Sequence, residues 1–192
     1  MFKRKVKAKE YSSITIAGLE IVTNSIMMPT SSYEDSLLPE LWEEFWSIFP
    51  KLGVRSTGTC FGVAIPLDQN AEPGKIKYLA GVEFKRGVPP GLEFKTVVVP
   101  AGKYVRYTHK GSMDNLKESY IDAYTNWFPN TQMEMRNAPH LELYDERFDP
   151  TSNKCEMDIL IPVKYLLSYI YCFSFISYPV HHCKKHSRNN ES

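Results

Sequence analysis

The amino-acid sequence predicts an α+β fold, an antiparallel sheet with two helices packed on one of its faces. Extended, β-branched runs dominate the chain, and two segments place apolar residues at helical spacing instead. The order strand, helix, strand, strand occurs twice, as a pattern rather than as repeated residue identities. Consecutive strands joined by short polar links pair antiparallel, and such a sheet buries one face under its helices.

In the first half, residues 15–23 read as a strand and residues 28–36 as a loop by composition. Leu38, Leu41, Trp42, Phe45 and Phe49 then recur at helical spacing with Glu40, Glu43 and Glu44 between them, and Pro50 is expected to stop this amphipathic helix. Residues 60–66 and 77–84 are strands. The link between them holds Asp68, Asn70, Pro73 and Gly74, which predicts a hairpin.

In the second half, residues 94–100 and 103–109 are extended and bent at Pro100–Gly102. Ser112 is a candidate N-cap with Asp114 in the first turn of a second helix. Met113, Leu116, Tyr120, Ala123, Tyr124 and Trp127 keep one face of that helix, and Pro129 is expected to end it. Residues 139–144 and 156–163 are the closing strands, and the gap between them is polar.

Composition narrows the function. A chain of 192 residues with 43% hydrophobic and 23% charged residues fits one folded domain rather than a disordered chain. Lys plus Arg is 23 against 22 for Asp plus Glu, so there is no basic footprint for a phosphate backbone. Cys60, Cys155, Cys172 and Cys183 form no Cys-x-x-Cys and read as free thiols of a reducing compartment. The charged N-terminus lacks the apolar stretch of a signal peptide. Residues 165–180 are apolar but shorter than the roughly 20 residues of a spanning helix. A cytoplasmic protein without a membrane anchor is expected.

Strand alternation sorts the side chains. Met157, Ile159, Ile161 and Val163 form an apolar face expected to meet the helices, and so do Leu141 and Leu143. Their alternates His140, Glu142 and Tyr144 then point to the opposite, open face. Tyr78, Ala80, Val82 and Phe84 share one face of their strand and leave Leu79, Gly81 and Glu83 on the other. Aromatic residues 13% strong need a core or a cleft to absorb them, and the candidate neighbours of the two acids are Trp42, Phe45, Tyr78, Tyr104, Tyr107, Trp127 and Tyr144. An aromatic-walled cleft with an acid inside suits an organic cation. The competing reading is a solvated sheet face for the acids and core packing for the aromatics.

Catalytic templates fail: there is no Gly-x-Ser-x-Gly elbow, no Walker loop, no Gly-x-Gly-x-x-Gly and no His-Glu-x-x-His. His140 beside Glu142 reads as a partly exposed histidine rather than an acid–base partner. His181, His182, Cys183 and His186 lie in a polar, basic tail that offers no fixed frame for a metal. No cofactor and no metal is expected.

Four segments in this order resemble the effector-binding domain of the GyrI-like family, also called the AraC-type or bacterial transcription activator effector-binding domain. They are residues 38–45, residues 78–84, residues 99–111 with the helix that closes at Trp127-Phe128-Pro129, and residues 139–148 with 157–164. The resemblance covers residues 1–164, with pseudo-repeats at about 1–92 and 93–164, and leaves residues 165–192 as a C-terminal extension of unknown role. It implies a duplicated β-α-β-β module with a cleft between its halves for lipophilic, often cationic compounds. The family's acids fall on Glu142 and Glu83, and the aromatic of its Ala-Gly-x-Tyr turn falls on Tyr104. Relatives that regulate transcription carry a helix-turn-helix unit in front, whereas the resemblance here begins almost at Met1. A standalone binding protein of small organic cations without direct DNA contact is therefore expected. The resemblance also implies two alternatives: a small-molecule hydrolase using Glu and Tyr in the same cleft, and an inhibitor of DNA gyrase acting by protein contact.

Overall fold

The computed structural model describes residues 8–28, 37–52, 59–67, 72–84 and 93–165. Among the described residues nine strands form one sheet: β1 (Lys9–Tyr11), β2 (Ile14–Asn24), β3 (Cys60–Pro66), β4 (Lys75–Glu83), β5 (Lys95–Val99), β6 (Gly102–Lys110), β7 (Met133–Met135), β8 (His140–Tyr144) and β9 (Glu156–Tyr165). The spatial order is β1-β6-β9-β8-β3-β4-β2-β5, with β7 also on β9, and every pairing is antiparallel. The short strands β1 and β7 have no counterpart in the sequence reading, because three residues are too few to show alternation.

Chain connectivity forces this sheet to curl. β5 and β6 lie six strand positions apart, yet only Pro100 and Ala101 link Val99 to Gly102. Six flat spacings would span about 29 Å, whereas three Cα–Cα steps reach at most about 11 Å. Ser12 and Ser13 impose the same constraint between β1 and β2, and Ser13 Oγ donates to the Val99 carbonyl at 2.9 Å. The two edges must therefore approach, and the sheet is a half-barrel.

Helix α1 (Leu38–Ile48) starts with proline in its first turn and Glu40 beside it, both favourable at an N-terminus. It buries Leu38, Leu41, Trp42 and Phe45 and packs on β2 and β4. Pro50 falls inside a following 3₁₀ turn, Phe49–Leu52. In the second helical segment the Ser112 side chain accepts from the Asp114 N–H at 3.3 Å and caps the 3₁₀ turn Met113–Asn115. The segment continues as α2 (Leu116–Ile121) and then widens to π winding over Asp122–Trp127. The Thr125 hydroxyl donates to the Ile121 carbonyl at 2.7 Å, a local bond of the type that distorts helices. Pro129 does not end the segment as expected. It sits in the first turn of a further 3₁₀ turn, Phe128–Thr131, which stops at Gln132 in the left-handed region with φ 60°.

Both helices bury their apolar stripes on one sheet face, where Tyr78, Ala80, Val82, Met157, Ile159, Ile161 and Val163 meet them. The other face was expected to stand open. Instead it carries a second buried cluster built from strands, with Ile16, Phe61, Val63, Leu79, Tyr104, Leu141 and Leu160 among its members. That finding corrects the assignment of β8. Glu142 pairs with Ile159, and Leu141 with Leu160. Directly paired residues share a face, so Glu142, His140 and Tyr144 lie under the helices while Leu141 and Leu143 lie on the far side. The reading failed because both faces are apolar, and apolarity alone cannot tell which one the helices cover. Glu83 pairs with Ile16 of the second cluster, so the two acids occupy opposite faces of the sheet.

Tyr165 ends β9, while residues 166–180 of the apolar stretch and the candidates Cys172, His181, His182, Cys183 and His186 lie outside the described residues. Among the described residues no helix is long and apolar enough to cross a membrane.

Candidate functional site

The site grows from the side-chain alternation of β3. Its outward positions Phe61, Val63 and Ile65 are large, whereas Cys60, Gly62, Ala64 and Pro66 on the helix side are small. The strands flanking β3 carry Tyr78 opposite Ala64 and Glu142 opposite Gly62. Those long side chains converge over the low floor of β3. A Cβ at Gly62 would overlap both the Tyr78 hydroxyl and Glu142 Oε2, so glycine is the residue that lets the two groups meet. Gly62 has no positive φ, and its role there is space rather than backbone freedom.

Glu142 is only 5% exposed and lies at the centre. The hydroxyls of Tyr78 and Tyr144 donate to its Oε2, the latter at 2.8 Å, and the hydroxyl of Tyr120 donates to its Oε1. Behind this shell the Trp42 indole N–H donates to the Tyr78 oxygen at 3.2 Å. Burial, reinforced by the charge of Glu142, pushes the Tyr78, Tyr120 and Tyr124 phenols well above their usual range, so all three stay protonated donors. Burial pushes His140 down to about 4, which leaves its ring neutral near pH 7. The Tyr124 hydroxyl lies 2.5 Å from His140 Nδ1; with the phenol donating, the ring proton sits on Nε2. No ion pair to Glu142 is formed among the described residues. Buried charges are normally matched by an opposite charge. Among the described residues this carboxylate is held by neutral phenols alone.

Beside it opens a cavity of about 210 Å³. Glu142, Tyr78, Tyr120, Tyr124 and His140 supply its polar wall. Ile26, Met27, Leu38, Ile76 and Leu116 supply most of the apolar one. The rings of Tyr120 and Tyr124, four residues apart on the second helical segment, stack with centroids 6.1 Å apart and planes within 2°. They present a flat aromatic surface next to a negative charge.

Of the candidates named from the sequence, Glu142 and Tyr78 line this cavity. Trp42 and Tyr144 stand behind them as hydrogen-bond partners. Phe45 is wholly buried in the core under α1. Tyr107 donates to Asp122 at 2.8 Å and packs edge-on against Trp127, away from the cavity lining. Tyr104 lies in the cluster on the far face, under the guanidinium of Arg136 at 5.3 Å, and Glu83 shares that face. Tyr120, Tyr124 and Gly62 were not singled out. The i, i+4 pair of tyrosines and the small-large alternation of residues 60–66 are signals present in the sequence. Among the described residues no group of three or more His, Cys, Asp or Glu side chains converges to hold a metal. The buried Cys60 thiol is pushed up to about 12 by desolvation and is a poor nucleophile.

Residues 10–164 match the family model described as the GyrI-like small molecule binding domain. A stretch of 91 residues is 32% identical to the transcriptional regulator BrlR of Pseudomonas aeruginosa. It covers 47% of this chain and 34% of BrlR, so the chain spans about a third of that protein's length. In three dimensions the chain is similar to the structure of SAV2435 bound to tetraphenylphosphonium, with a TM-score of 0.65, 17% identity, and coverage of 84% of this chain and 94% of that one. It is also similar to the C-terminal domain of EcmrR, with a TM-score of 0.59, 17% identity, and coverage of 84% and 98%. At these identities the structural likenesses establish a shared fold.

Proposed function

The chain belongs to the GyrI-like family of small-molecule binding domains, and we propose that its cavity takes a lipophilic organic cation with Glu142 as the counter-charge. One observation carries this reading: a buried carboxylate held by three tyrosine hydroxyls and matched by no cation among the described residues. The phenols stabilise its charge without neutralising it. An incoming cation gains the Coulomb attraction of a desolvated site and the faces of Tyr120 and Tyr124. The neutral His140 adds no repulsion. The structure of SAV2435 with tetraphenylphosphonium supports the same class of ligand.

In this reading residues 1–164 are the binding unit, made of two β-α-β-β pseudo-repeats at about 1–92 and 93–164, with the cleft between them. The net charge of +1 favours an effector-binding role without direct contact to DNA. Likeness to BrlR and to the EcmrR domain favours a regulatory setting in which occupancy of the cavity is the signal.

A thermal-shift panel of lipophilic cations, each run beside a neutral analogue, tests the proposal. Tetraphenylphosphonium should raise the melting temperature in a concentration-dependent way, and triphenylphosphine oxide should raise it far less. Equal shifts, or none for any cation, would overturn it. Mass spectrometry of the compounds after long incubation should return them unchanged; a hydrolysed product would replace binding by turnover.

A further inference from the structure

On the outer side of Trp42 lies a second concavity, of about 260 Å³. It comes from a second stripe on α1, in which Pro39 pairs with Trp42 and Glu43, and Trp46 with both in turn, at three- and four-residue spacings. Trp46 stacks on Trp42 at 6.0 Å with 27° between the rings, yet 41% of it stays exposed. The end of β8 adds Tyr144, edge-on to Trp42 at 4.9 Å, and Phe148 stands edge-on to Tyr144 at 4.6 Å. Glu43 is at the rim, and no lysine or arginine lines the concavity among the described residues.

We propose that this outer cleft is a second binding site, for a small quaternary ammonium ion. Four aromatic rings around one concave space, with a single carboxylate and no basic group among the described residues, match the chemistry that recognises a trimethylammonium head. The diffuse charge of such an ion is weakly hydrated and meets ring faces without needing a hydrogen-bond acceptor. An exposed indole in a concave, apolar setting otherwise leaves a large apolar area in water. Among the described residues the outer cleft and the inner cavity share no lining residue, and Glu43, not Glu142, supplies the charge.

Choline and its uncharged carbon isostere 3,3-dimethylbutan-1-ol are the probes, followed through the ligand methyl signal by saturation-transfer nuclear magnetic resonance. Choline should saturate, with the neutral isostere about tenfold weaker or worse. Trp46→Ala should weaken choline about tenfold, and Glu43→Gln about threefold to tenfold. Tyr124→Ala, which removes a ring of the inner cavity packed on Tyr120 and His140, should leave choline binding within about twofold of wild type. Equal binding of choline and isostere would overturn the proposal. So would choline binding that survives Trp46→Ala and Glu43→Gln but falls in Tyr124→Ala, because the probe would then sit in the inner cavity. Phosphatidylcholine vesicles separate the two sources of the same head group. Choline binding without co-sedimentation assigns the site to a free cation, and co-sedimentation lost in Trp46→Ala assigns it to the lipid.

Discussion

Replacing Gly62 by alanine adds one methyl group at the point where Tyr78 reaches Glu142 across β3. The backbone of Gly62 accepts alanine without strain, so the destabilising part of the effect is steric. The new Cβ overlaps the Tyr78 hydroxyl and Glu142 Oε2, and one of them must leave. Separating them removes a hydrogen bond to a charged acceptor, about 1.5–3 kcal/mol. Forcing a methyl into a filled site adds about 1–3 kcal/mol, and the lower backbone entropy of alanine returns about 0.5–1 kcal/mol. The expected net loss is about 2–5 kcal/mol, read from the urea midpoint at unchanged slope. Tyr78→Phe removes the hydroxyl with which the methyl collides. Alone it costs about 1–3 kcal/mol, because Glu142 loses a donor and the Trp42 N–H loses its acceptor. In the Gly62→Ala background it should cost at least about 1 kcal/mol less, a coupling that a double-mutant cycle measures. A Gly62→Ala protein with the wild-type midpoint, or strictly additive costs, would refute the assignment of Gly62 as the space that lets Tyr78 and Glu142 meet.

The pH dependence of stability follows from His140. Its folded pKa of about 4 lies below the unfolded value of 6.5, so between the two the unfolded chain binds more protons. Stability is therefore fully present above about pH 6.5 and falls by up to about 3 kcal/mol as the pH drops towards 4. His140→Gln should flatten that part of the curve, and an identical slope in the variant would contradict the burial argument; His109, also lowered by burial, supplies a residual slope of the same sign. On the far face, Asp158 is fully buried, pairs with Arg106 and Arg147, and accepts from Thr108 at 2.6 Å. Asp158→Asn should destabilise the chain by about 1–3 kcal/mol in urea unfolding, the cost of losing charge-assisted hydrogen bonds at a buried acceptor, since Arg147 keeps Asp145 and Glu156 and Arg106 reaches solvent; a change below about 0.5 kcal/mol would make the network incidental.

Much of the fold was legible because alternation and helical spacing are local signals. Strand β3 falls where residues 60–66 placed it, and α1 covers Leu38, Leu41, Trp42 and Phe45 as their spacing requires. The faces were harder. In β8, Leu141 and Leu143 look like the buried set and Glu142 like the solvated one, yet the curled sheet buries both. Which face meets the helices is decided by the register of β8 on β9, a non-local pairing that no local pattern encodes. The same reversal separated Glu83 from Glu142 and sent Tyr104 to the far cluster. Tyr120 and Tyr124 were read as helix packing, and they are, but packing against the helix-facing side of the sheet is what brings their hydroxyls to Glu142 and His140.

Glu142 should give the inner cavity its preference for positive charge. Isothermal titration of tetraphenylphosphonium and of neutral triphenylphosphine oxide into wild type and Glu142→Gln, at a temperature where both are folded, tests it most directly. Removing the charge while keeping the shape should weaken the cation by about 1.5–3 kcal/mol, roughly tenfold to 150-fold. The neutral compound should stay within about twofold, since it gains nothing from the carboxylate's charge. Cation affinity unaltered in Glu142→Gln, or an equal loss for both compounds, would show that the carboxylate's charge does not select the ligand.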